Sequence, residues 1–422
     1  MTNPGSASDS FRPLRHHLFA ASTPRRLALT IVVLSIFAAP FTSGSHSTAR
    51  GSQQPDRQEF RTVSRGIEHL RVIRGHHSES EATGPWLINL LRVDLTQLHL
   101  QISHALDQGV GVETTSSLAA RHGAVAAVNA GFFRTTGTYR GEPSGALVIE
   151  GKLISEPLEG RAAAGFVESA HGSQVIFSHL KFSGRLESVR GRRFTISGLN
   201  RPRGDNELIV YTPEFHRNTL TNPGCVEVIC RRNRVVGVHD GEGSLTIPVN
   251  GFVLSACGFA REWVLANLRA GSKIRLDMTL TPIESQQTEA WKRASFVVGG
   301  GPQLIMEGKV AITFEEEKVA PQFVNDRHPR TAIARLKDGR MLLVTVDGRQ
   351  SGISVGMSLP EFARLLLEFD AWEAINLDGG GSTTMVVDGK LVNSPSDQTG
   401  ERPVSDAILL IPRRLLQNGT AH

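Results

Sequence analysis

Residues 376–392 read NLDGGGSTTMVVDGKLV, which is a glycine-rich loop, a short apolar strand, an Asp-Gly turn and a second strand. An acidic residue followed by glycine between two apolar runs is a strong short-range signal for a β-hairpin. The same arrangement recurs at 147–154 and 304–311 and, more loosely, at 334–343. A chain that repeats this unit is expected to be rich in antiparallel sheet.

The remaining hydrophobic pattern supports this expectation. Helical spacing is clear in few places, and best at 359–369, where Ser358 is placed to cap the helix. Short apolar or alternating runs predict strands at 87–95, 98–106, 124–129, 146–154 and 175–182. We therefore expect an α+β fold: a mixed, largely antiparallel, sheet-rich domain with several hairpins and few helices, plus a β-rich insertion or subdomain at about 172–290.

The N-terminal 50 residues carry an export pattern. Several arginines precede the apolar run 27–39, which is short for a membrane span but has the length of a signal-peptide core. A cleaved signal peptide and an uncleaved membrane anchor both remain open. Either one predicts an exported protein (periplasmic, secreted or anchored outside the cytoplasm). Residues 51–80 are expected to be a polar linker, 81–412 the domain itself, and 413–422 a tail.

The amino-acid composition limits the classes of binding partner. The net charge of +5 is modest, and aromatic residues make up only 6% of the 422 residues. The sequence lacks the interleaving of basic and aromatic residues that single-stranded nucleic acid requires. We therefore expect no nucleic acid partner, and membrane contact only through a possible N-terminal anchor.

The three cysteines, Cys225, Cys230 and Cys257, allow one disulfide and leave one thiol over. A bridge from Cys225 to Cys230 across a hairpin is one option, and the pairing stays open. The sequence holds neither a CxxC pair nor an HExxH motif, so it predicts no zinc site and no cofactor.

The glycine-rich loop is the first candidate site. Consecutive glycines let the backbone approach a ligand closely, and successive amides followed by hydroxyls can cradle an anion. Asp378 adds a carboxylate at the start of Gly379–Thr383. Together these groups suit an enzyme acting on a phosphate-bearing substrate. The alternative is a plain strand connection whose polar side chains satisfy turn hydrogen bonds.

Other candidate groups lie in loops at strand ends. Arg330 has the planar fork that suits a phosphodiester, although a structural ion pair is an equal alternative. Glu142 is a second candidate carboxylate. Candidate substrate-binding residues are Asn129, Gly300, Gly301, His328, Asp347, Ser396 and Asp397, besides Gly379, Gly380, Gly381, Ser382 and Thr383.

The motifs VNAGFF, GGGP, HPRTA, VDGR, NLDGGGSTTM and SPSD, in this order between residues 120 and 412, resemble those of the phosphodiester glycosidase family. The resemblance implies hydrolysis of a sugar-1-phosphodiester at the anomeric C–O bond, without a metal. A departing phosphomonoester is a weak base, so assistance by a general acid matters less than in ordinary glycosides. Asp378, Arg330 and Glu142 are the catalytic residues that it implies.

Two other functions remain open. The chain could be a non-catalytic protein that binds envelope glycans or assists exopolysaccharide assembly. It could also be a metal-dependent phosphodiesterase in which Asp347, Asp378 and Asp397 hold a divalent ion. Product analysis separates the three: free reducing sugar indicates the glycosidase, sugar-1-phosphate indicates the phosphodiesterase, and intact bound ligand indicates the binding protein.

Overall fold

The structure is a computed structural model that describes residues 56–75, 84–158, 160–169, 172–284 and 288–413. The predicted export segment 1–50 and all but the first residue of the predicted tail 413–422 lie outside the described residues. The described chain is rich in antiparallel sheet with few helices, as the hairpin pattern predicts.

The largest sheet is antiparallel and has eight strands. In spatial order they are β1 (Arg57–Ser64), β2 (Ile67–Arg74), β3 (Trp86–Val93), β21 (Met341–Val346), β20 (Arg330–Leu336), β22 (Ala371–Asn376), β18 (Gln303–Met306) and β19 (Lys309–Val310). A second antiparallel sheet has five strands: β24 (Lys390–Leu391), β23 (Met385–Val387), β5 (Ala126–Asn129), β25 (Asp406–Pro412) and β4 (Leu98–His104).

A third sheet contains β10 (Arg193–Thr195), β9 (Gly172–Ser188), β8 (Ala162–Ser169), β17 (Ala294–Gly299), β6 (Leu147–Ile149) and β7 (Lys152–Ser155), with β16 (Ile274–Pro282) also paired to β9. The fourth contains β11 (Gly198–Leu199), β12 (Leu208–Tyr211), β15 (Gly251–Ala256), β13 (Val226–Arg231) and β14 (Arg234–Asp240). In this sheet, β11 and β12 run parallel.

The described helices are α1 (Thr115–Arg121), α2 (Gly258–Asn267), α3 (Thr288–Lys292), α4 (Pro321–Asn325) and α5 (Leu359–Glu368). The helix predicted at 359–369 is confirmed as α5. Its Ser358 cap accepts a hydrogen bond from the amide of Glu361, and Glu361 bonds back to Ser358, a capping box that fixes the start of a helix. Within the described residues, no helix is long and apolar enough to cross a membrane.

The first three sheets share one hydrophobic core. Its members include Leu91 of the first sheet, Val128 and Ile408 of the second, and Phe166 and Val298 of the third, all at most 2% exposed. The loop that joins β22 to β23 therefore passes from the first sheet to the second at the edge of this core. That loop is the glycine-rich segment.

All four predicted hairpins are confirmed as antiparallel strand pairs. They do not share one sheet, however, because only two of them belong to the eight-stranded sheet. Some of the loops that precede them still meet. The amide of Leu377 donates to the carbonyl of Thr331 at 2.8 Å, and the amide of Gly301 donates to the carbonyl of Asn376 at 2.8 Å.

Two expectations about organisation differ from the structure. Much of the predicted linker 51–80 forms the hairpin of β1 and β2, because Ile67 and Val72 bury their side chains completely and β2 pairs with β3. The predicted β-rich stretch 172–290 is indeed rich in strands. It is not a separate body, since β9 and β16 belong to the third sheet, and only 198–256 forms a sheet of its own.

The disulfide joins Cys225 to Cys257, with Cα atoms 5.0 Å apart, and Cys230 is a buried free thiol. The bridge from Cys225 to Cys230 suggested above is therefore wrong. Cys230 lies on β13 opposite Val235, whereas Val226 pairs with Ala256 of β15. This register brings the residues next to that pair, Cys225 and Cys257, face to face.

Candidate functional site

The glycine-rich loop is held between strands of two sheets. The amide of Asp378 donates to the carbonyl of Ala130 at 3.0 Å, just after β5. On the other side, the amide of Gly380 donates to the carbonyl of Pro329 at 2.9 Å, just before β20. A loop fixed at both sides in this way presents its side chains in one geometry, as a binding or catalytic site requires.

The side chain of Asn129 forms hydrogen bonds to both ends of the loop. Its side-chain nitrogen donates to the carbonyl of Asp378 at 2.7 Å, and its oxygen accepts from the amide of Thr384 at 3.0 Å. The hydroxyl of Thr331 donates to the same oxygen at 3.0 Å. Asn129 is fully buried, so these internal bonds, rather than contact with a sugar, account for the polar amide at the end of an apolar strand.

Asp378 is half-buried at the start of the loop. Burial raises the pKa of its carboxyl to about 7, and the negative charge of Asp406 acts in the same direction. The neighbouring Ser382 hydroxyl, Arg402 and the amide of Gly379 lower the pKa, but by less. A carboxyl with this pKa exists in both protonation states near neutral pH, which suits a group that takes up or gives up a proton.

A second carboxyl, Asp406, was not among the predicted residues. It is 1% exposed, accepts a hydrogen bond from the amide of Gly131 at 2.7 Å, and lies opposite His104 in the ladder of β25 and β4. Burial raises the pKa of Asp406 and lowers that of His104. The sequence did hold an indication of this residue, because Asp406 is the first residue of a final strand that is otherwise apolar.

The loop uses most of its amides internally. The amide of Ser382 donates to the carbonyl of Gly379 at 3.1 Å, and that of Thr383 to the carbonyl of Gly380 at 3.3 Å. The amide of Gly379 donates a hydrogen bond to the carboxyl of Asp378 and lowers its pKa. The predicted anion cradle at Gly379–Thr383 is therefore largely occupied by the turn itself. An anionic ligand here needs positive charge from side chains.

Two arginines lie against the loop and supply that charge. A Cβ added at Gly380 would lie 3.2 Å from Nη2 of Arg349, and one added at Gly381 would collide with the guanidinium of Arg402. Arg402 is held by Asp397 through two bonds of 2.7 and 2.9 Å. These approaches place both guanidinium groups, and the carboxylate of Asp397, beside the loop.

Arg349 also contacts His328. Its Nη2 lies 3.2 Å from Nδ1 of His328, and the Arg349 side chain is exposed. Burial, followed by the charges of Arg330 and Arg349, lowers the pKa of His328. A neutral imidazole beside an accessible guanidinium is able to accept a hydrogen bond while the arginine faces an anion.

Arg330 has a different environment from the one its sequence context suggests. It is 1% exposed, and its guanidinium donates to the carbonyls of Met357, Phe323 and Asp326, each at 2.8 Å. Burial lowers its pKa to about 10. The donors of Nε and Nη2 that would form a phosphate fork are therefore used by backbone carbonyls.

Asp347 supports the far end of the loop. It is 1% exposed and accepts from Nδ2 of Asn393 at 2.9 Å and from the amide of Ser394 at 2.8 Å. Burial raises its pKa to about 6. Asn393 in turn donates to the carbonyl of Thr383 and accepts from the amide of Met385. Asp347 thus positions the segment that follows the glycines.

Ser396 lies in the segment after Asn393. Its hydroxyl is buried, and neither it nor Oε1 of nearby Gln350 has a hydrogen-bond partner among the described residues. Gln350 is anchored through its nitrogen to the carbonyls of Ser394 and Pro395. Buried polar atoms without a partner carry a free-energy cost.

Three other predicted residues lie elsewhere or are used internally. Gly300 donates its amide to the carbonyl of Ala162 at 2.9 Å, and Gly301 bonds to Asn376, so both fix the start of the loop. Glu142 is buried and bonds to Arg134 at 3.1 Å. Burial raises the pKa of Glu142, and the charges that also act on it are those of Arg134, Glu156 and Arg201, none of which acts on Asp378.

Among the described residues, no group of three or more His, Cys, Asp or Glu side chains is arranged to hold a metal ion. Of the three aspartates considered as metal ligands, Asp347 is enclosed by Asn393 and Asp397 is paired with Arg402. The site is instead a carboxyl with a raised pKa between guanidinium groups.

Comparison with known families identifies this region. A sequence model described as phosphodiester glycosidase matches residues 225–411, which include Asp378 and both arginines of the loop. Residues 225–411 therefore resemble the phosphodiester glycosidase family. The resemblance seen in the motifs is therefore confirmed.

The chain is similar to mammalian enzymes. It is 35% identical to N-acetylglucosamine-1-phosphodiester alpha-N-acetylglucosaminidase of Bos taurus over 122 residues, which are 28% of this chain and 22% of that protein. It is 27% identical to the Mus musculus enzyme of the same name over 241 residues, or 57% of this chain and 43% of that protein. These matches span less than half of either relative.

The fold is also found in a hypothetical protein from Synechocystis. Its solved structure superimposes with a TM-score of 0.72 at 24% identity, covering 85% of this chain and 64% of that one. At this identity, the likeness speaks for the fold alone.

Proposed function

We propose that this protein hydrolyses the anomeric C–O bond of a sugar-1-phosphodiester in an extracytoplasmic glycan or glycoconjugate. The observation that carries the proposal is Asp378, whose pKa is raised to about 7, at a loop flanked by the guanidinium groups of Arg349 and Arg402. A carboxyl near half-protonation suits proton transfer or stabilisation at the sugar carbon, and the cations suit the phosphate.

In the proposed reaction, a water oxygen forms a bond to the anomeric carbon while the bond from that carbon to the phosphate oxygen breaks. The phosphomonoester leaves with the electron pair, and a proton of the water goes to a base or to solvent. In this step Asp378 acts at the anomeric carbon as base or electrostatic partner; if it is instead the nucleophile, its carboxylate forms the bond to the carbon as the phosphomonoester leaves, and water then breaks that bond. Arg349, exposed and adjacent to Gly380, holds the phosphate in place of the buried Arg330.

The extracytoplasmic setting is part of the proposal. The basic and apolar N-terminal pattern supports export. The disulfide between Cys225 and Cys257 supports it independently, because disulfides persist in oxidising compartments.

Hydrolysis in ¹⁸O-labelled water tests the proposed bond cleavage. Cleavage of the C–O bond places the label in the free sugar, and mass spectrometry of both products should find it there. Label in the phosphate would indicate a phosphodiesterase. Intact substrate, with binding retained, would indicate the non-catalytic glycan-binding protein considered above.

A further inference from the structure

A large open cleft is lined by none of the residues of the Asp378 loop. Its volume is about 1160 Å³, and its walls come from β9, β10, the segment 156–158 and the start of α2. This exceeds the roughly 300–1,000 Å³ of ordinary small-molecule sites. The cleft is thus large enough for several linked units.

The cleft is lined by positive charge along one strand. Lys181 and Arg185 lie on the exposed face of β9, four residues apart, which is roughly 13 Å along a strand. Arg193 of β10 faces the same cleft and is 61% exposed. Positive groups spread over this length fit an extended anion better than a single charged group.

These cations are only weakly engaged within the protein. Arg185 lies 3.4 Å from Asp277, and both side chains are exposed; Arg193 lies 3.3 Å from the half-buried Glu187. Such surface pairs contribute about 0–1 kcal/mol and exchange readily for another anion. Lys181 has no ion-pair partner among the described residues.

The carboxylate in the lining is already held by an arginine. Glu156 accepts from Nε of Arg201 at 2.5 Å and from the amide of Leu199 at 2.7 Å. Arg201 also pairs with Glu207. These hydrogen bonds hold both carboxylates against Arg201, so neither of them pairs with the cations of β9 and β10.

Aromatic side chains complete the surface. Phe194 packs on Trp263 with ring centroids 5.2 Å apart, and on Phe259 at 6.4 Å. Phe259 is nevertheless 59% exposed. A supported but exposed aromatic face offers an apolar platform of the kind on which ligand rings rest.

We propose that this cleft binds an anionic oligosaccharide, a stretch of polymer with phosphate groups between its sugars. Phe259 and Phe194 contact the apolar faces of sugar rings, while Lys181, Arg185 and Arg193 contact the phosphates. The choice of a phosphate-bearing glycan rests on the proposed function. The cleft adds to it a site that retains a polymeric substrate away from the point of hydrolysis.

Binding of two hexamers tests the inference, with Asp378→Asn as the background to prevent hydrolysis. The probes are a hexamer of N-acetylglucosamine-1-phosphate and the neutral hexamer of N-acetylglucosamine, each titrated calorimetrically. We expect the charged hexamer to bind at least fivefold more tightly. The affinity should fall with added salt because exposed charges are screened.

The variant Arg185→Gln/Arg193→Gln should weaken binding of the charged hexamer at least fivefold, and Phe259→Ser should weaken it as well. Arg65→Gln/Arg231→Gln removes the same charge from exposed positions that do not line the cleft and should have little effect. Equal binding by the cleft variant and the control, or no binding of the charged hexamer, would overturn the inference.

Activity separates this inference from the proposed function. In the otherwise unaltered chain, Arg185→Gln/Arg193→Gln should raise KM for the charged polymer and leave kcat/KM for a small sugar-1-phosphodiester unchanged. If no sugar-1-phosphodiester is hydrolysed but the cleft variant still loses hexamer binding, the proposed function fails and the cleft assignment stands.

Discussion

Asp378 and Asp406 are linked through the peptide segment Ala130–Gly131. The amide of Asp378 donates to the carbonyl of Ala130, and the amide of Gly131 donates to the carboxyl of Asp406 at 2.7 Å. The charge of Asp406 raises the pKa of Asp378. The two carboxyls are therefore electrostatically coupled, although only Asp378 belongs to the glycine-rich loop.

Replacing Asp406 with asparagine should change the pH dependence of activity. Once the negative charge of Asp406 is removed, the carboxyl of Asp378 ionises more easily. The midpoint assigned to Asp378 therefore moves from near pH 7 to a lower pH. The pH profile of kcat/KM measures this. Asp388→Asn removes an exposed carboxylate on a hairpin turn and serves as the control. An unchanged midpoint in Asp406→Asn would show that the two carboxyls do not interact.

The raised pKa of Asp378 also has a consequence for stability. A carboxyl whose pKa is higher in the folded state favours folding at low pH, and this contribution is lost as pH rises from about 4 to about 7. Asp378→Asn should therefore increase the free energy of unfolding relative to the parent protein at pH 8, by a few kcal/mol. Urea denaturation at pH 4 and pH 8 measures the difference. A difference that does not grow between these pH values would contradict the shift.

Arg349 and Arg330 should respond in opposite ways to substitution. Arg349→Gln removes an exposed cation beside Gly380, so we expect a higher KM for a sugar-1-phosphodiester and an unchanged melting temperature. Arg330→Lys loses the fork that holds three carbonyls. It should cost roughly 2–4 kcal/mol of stability. Kinetics and thermal unfolding of both variants check this. A stable Arg330→Lys protein with a raised KM would restore Arg330 as the phosphate ligand.

The disulfide should contribute measurable stability. Cys225→Ser/Cys257→Ser opens a bridge between residues separated by 32 positions, and the expected loss is about 2–4 kcal/mol. Cys230→Ala removes the buried free thiol. A reducing agent should lower the stability of this variant as much as it lowers the stability of the parent protein. If reduction instead had no effect on Cys230→Ala, the pairing of Cys225 with Cys257 would be wrong.

The sequence predicts local structure well where the pattern itself specifies a turn or a cap. The four hairpins and the capped helix α5 follow from Asp-Gly-type turns and from Ser358. The assignment of hairpins to different sheets, and the strands within 51–80, depend on tertiary pairing that a local pattern does not contain. The motifs also place Asp378, Asp397 and His328 in one region.

The chemical roles were harder to predict than the positions. Arg330 and Asn129 have residue types that suit a ligand, but burial commits their hydrogen bonds to the backbone and to the loop. Asp406 contributes through its charge from beneath the loop, and sequence spacing gives no measure of that proximity. Arg349 belongs to the VDGR motif, but its position beside Gly380 depends on how the two loops fold together, which the motif does not specify.

The central claim is that Asp378 acts at the anomeric carbon. Its most direct test is the turnover of Asp378→Asn on a sugar-1-phosphodiester, measured beside circular dichroism and thermal unfolding of the same preparation. We expect a folded protein whose kcat is lower by at least about a hundredfold, with KM nearly unchanged, because the lost interaction belongs to the transition state. Near-normal turnover by a well-folded Asp378→Asn protein would contradict the account and leave the glycine-rich loop as a structural connection.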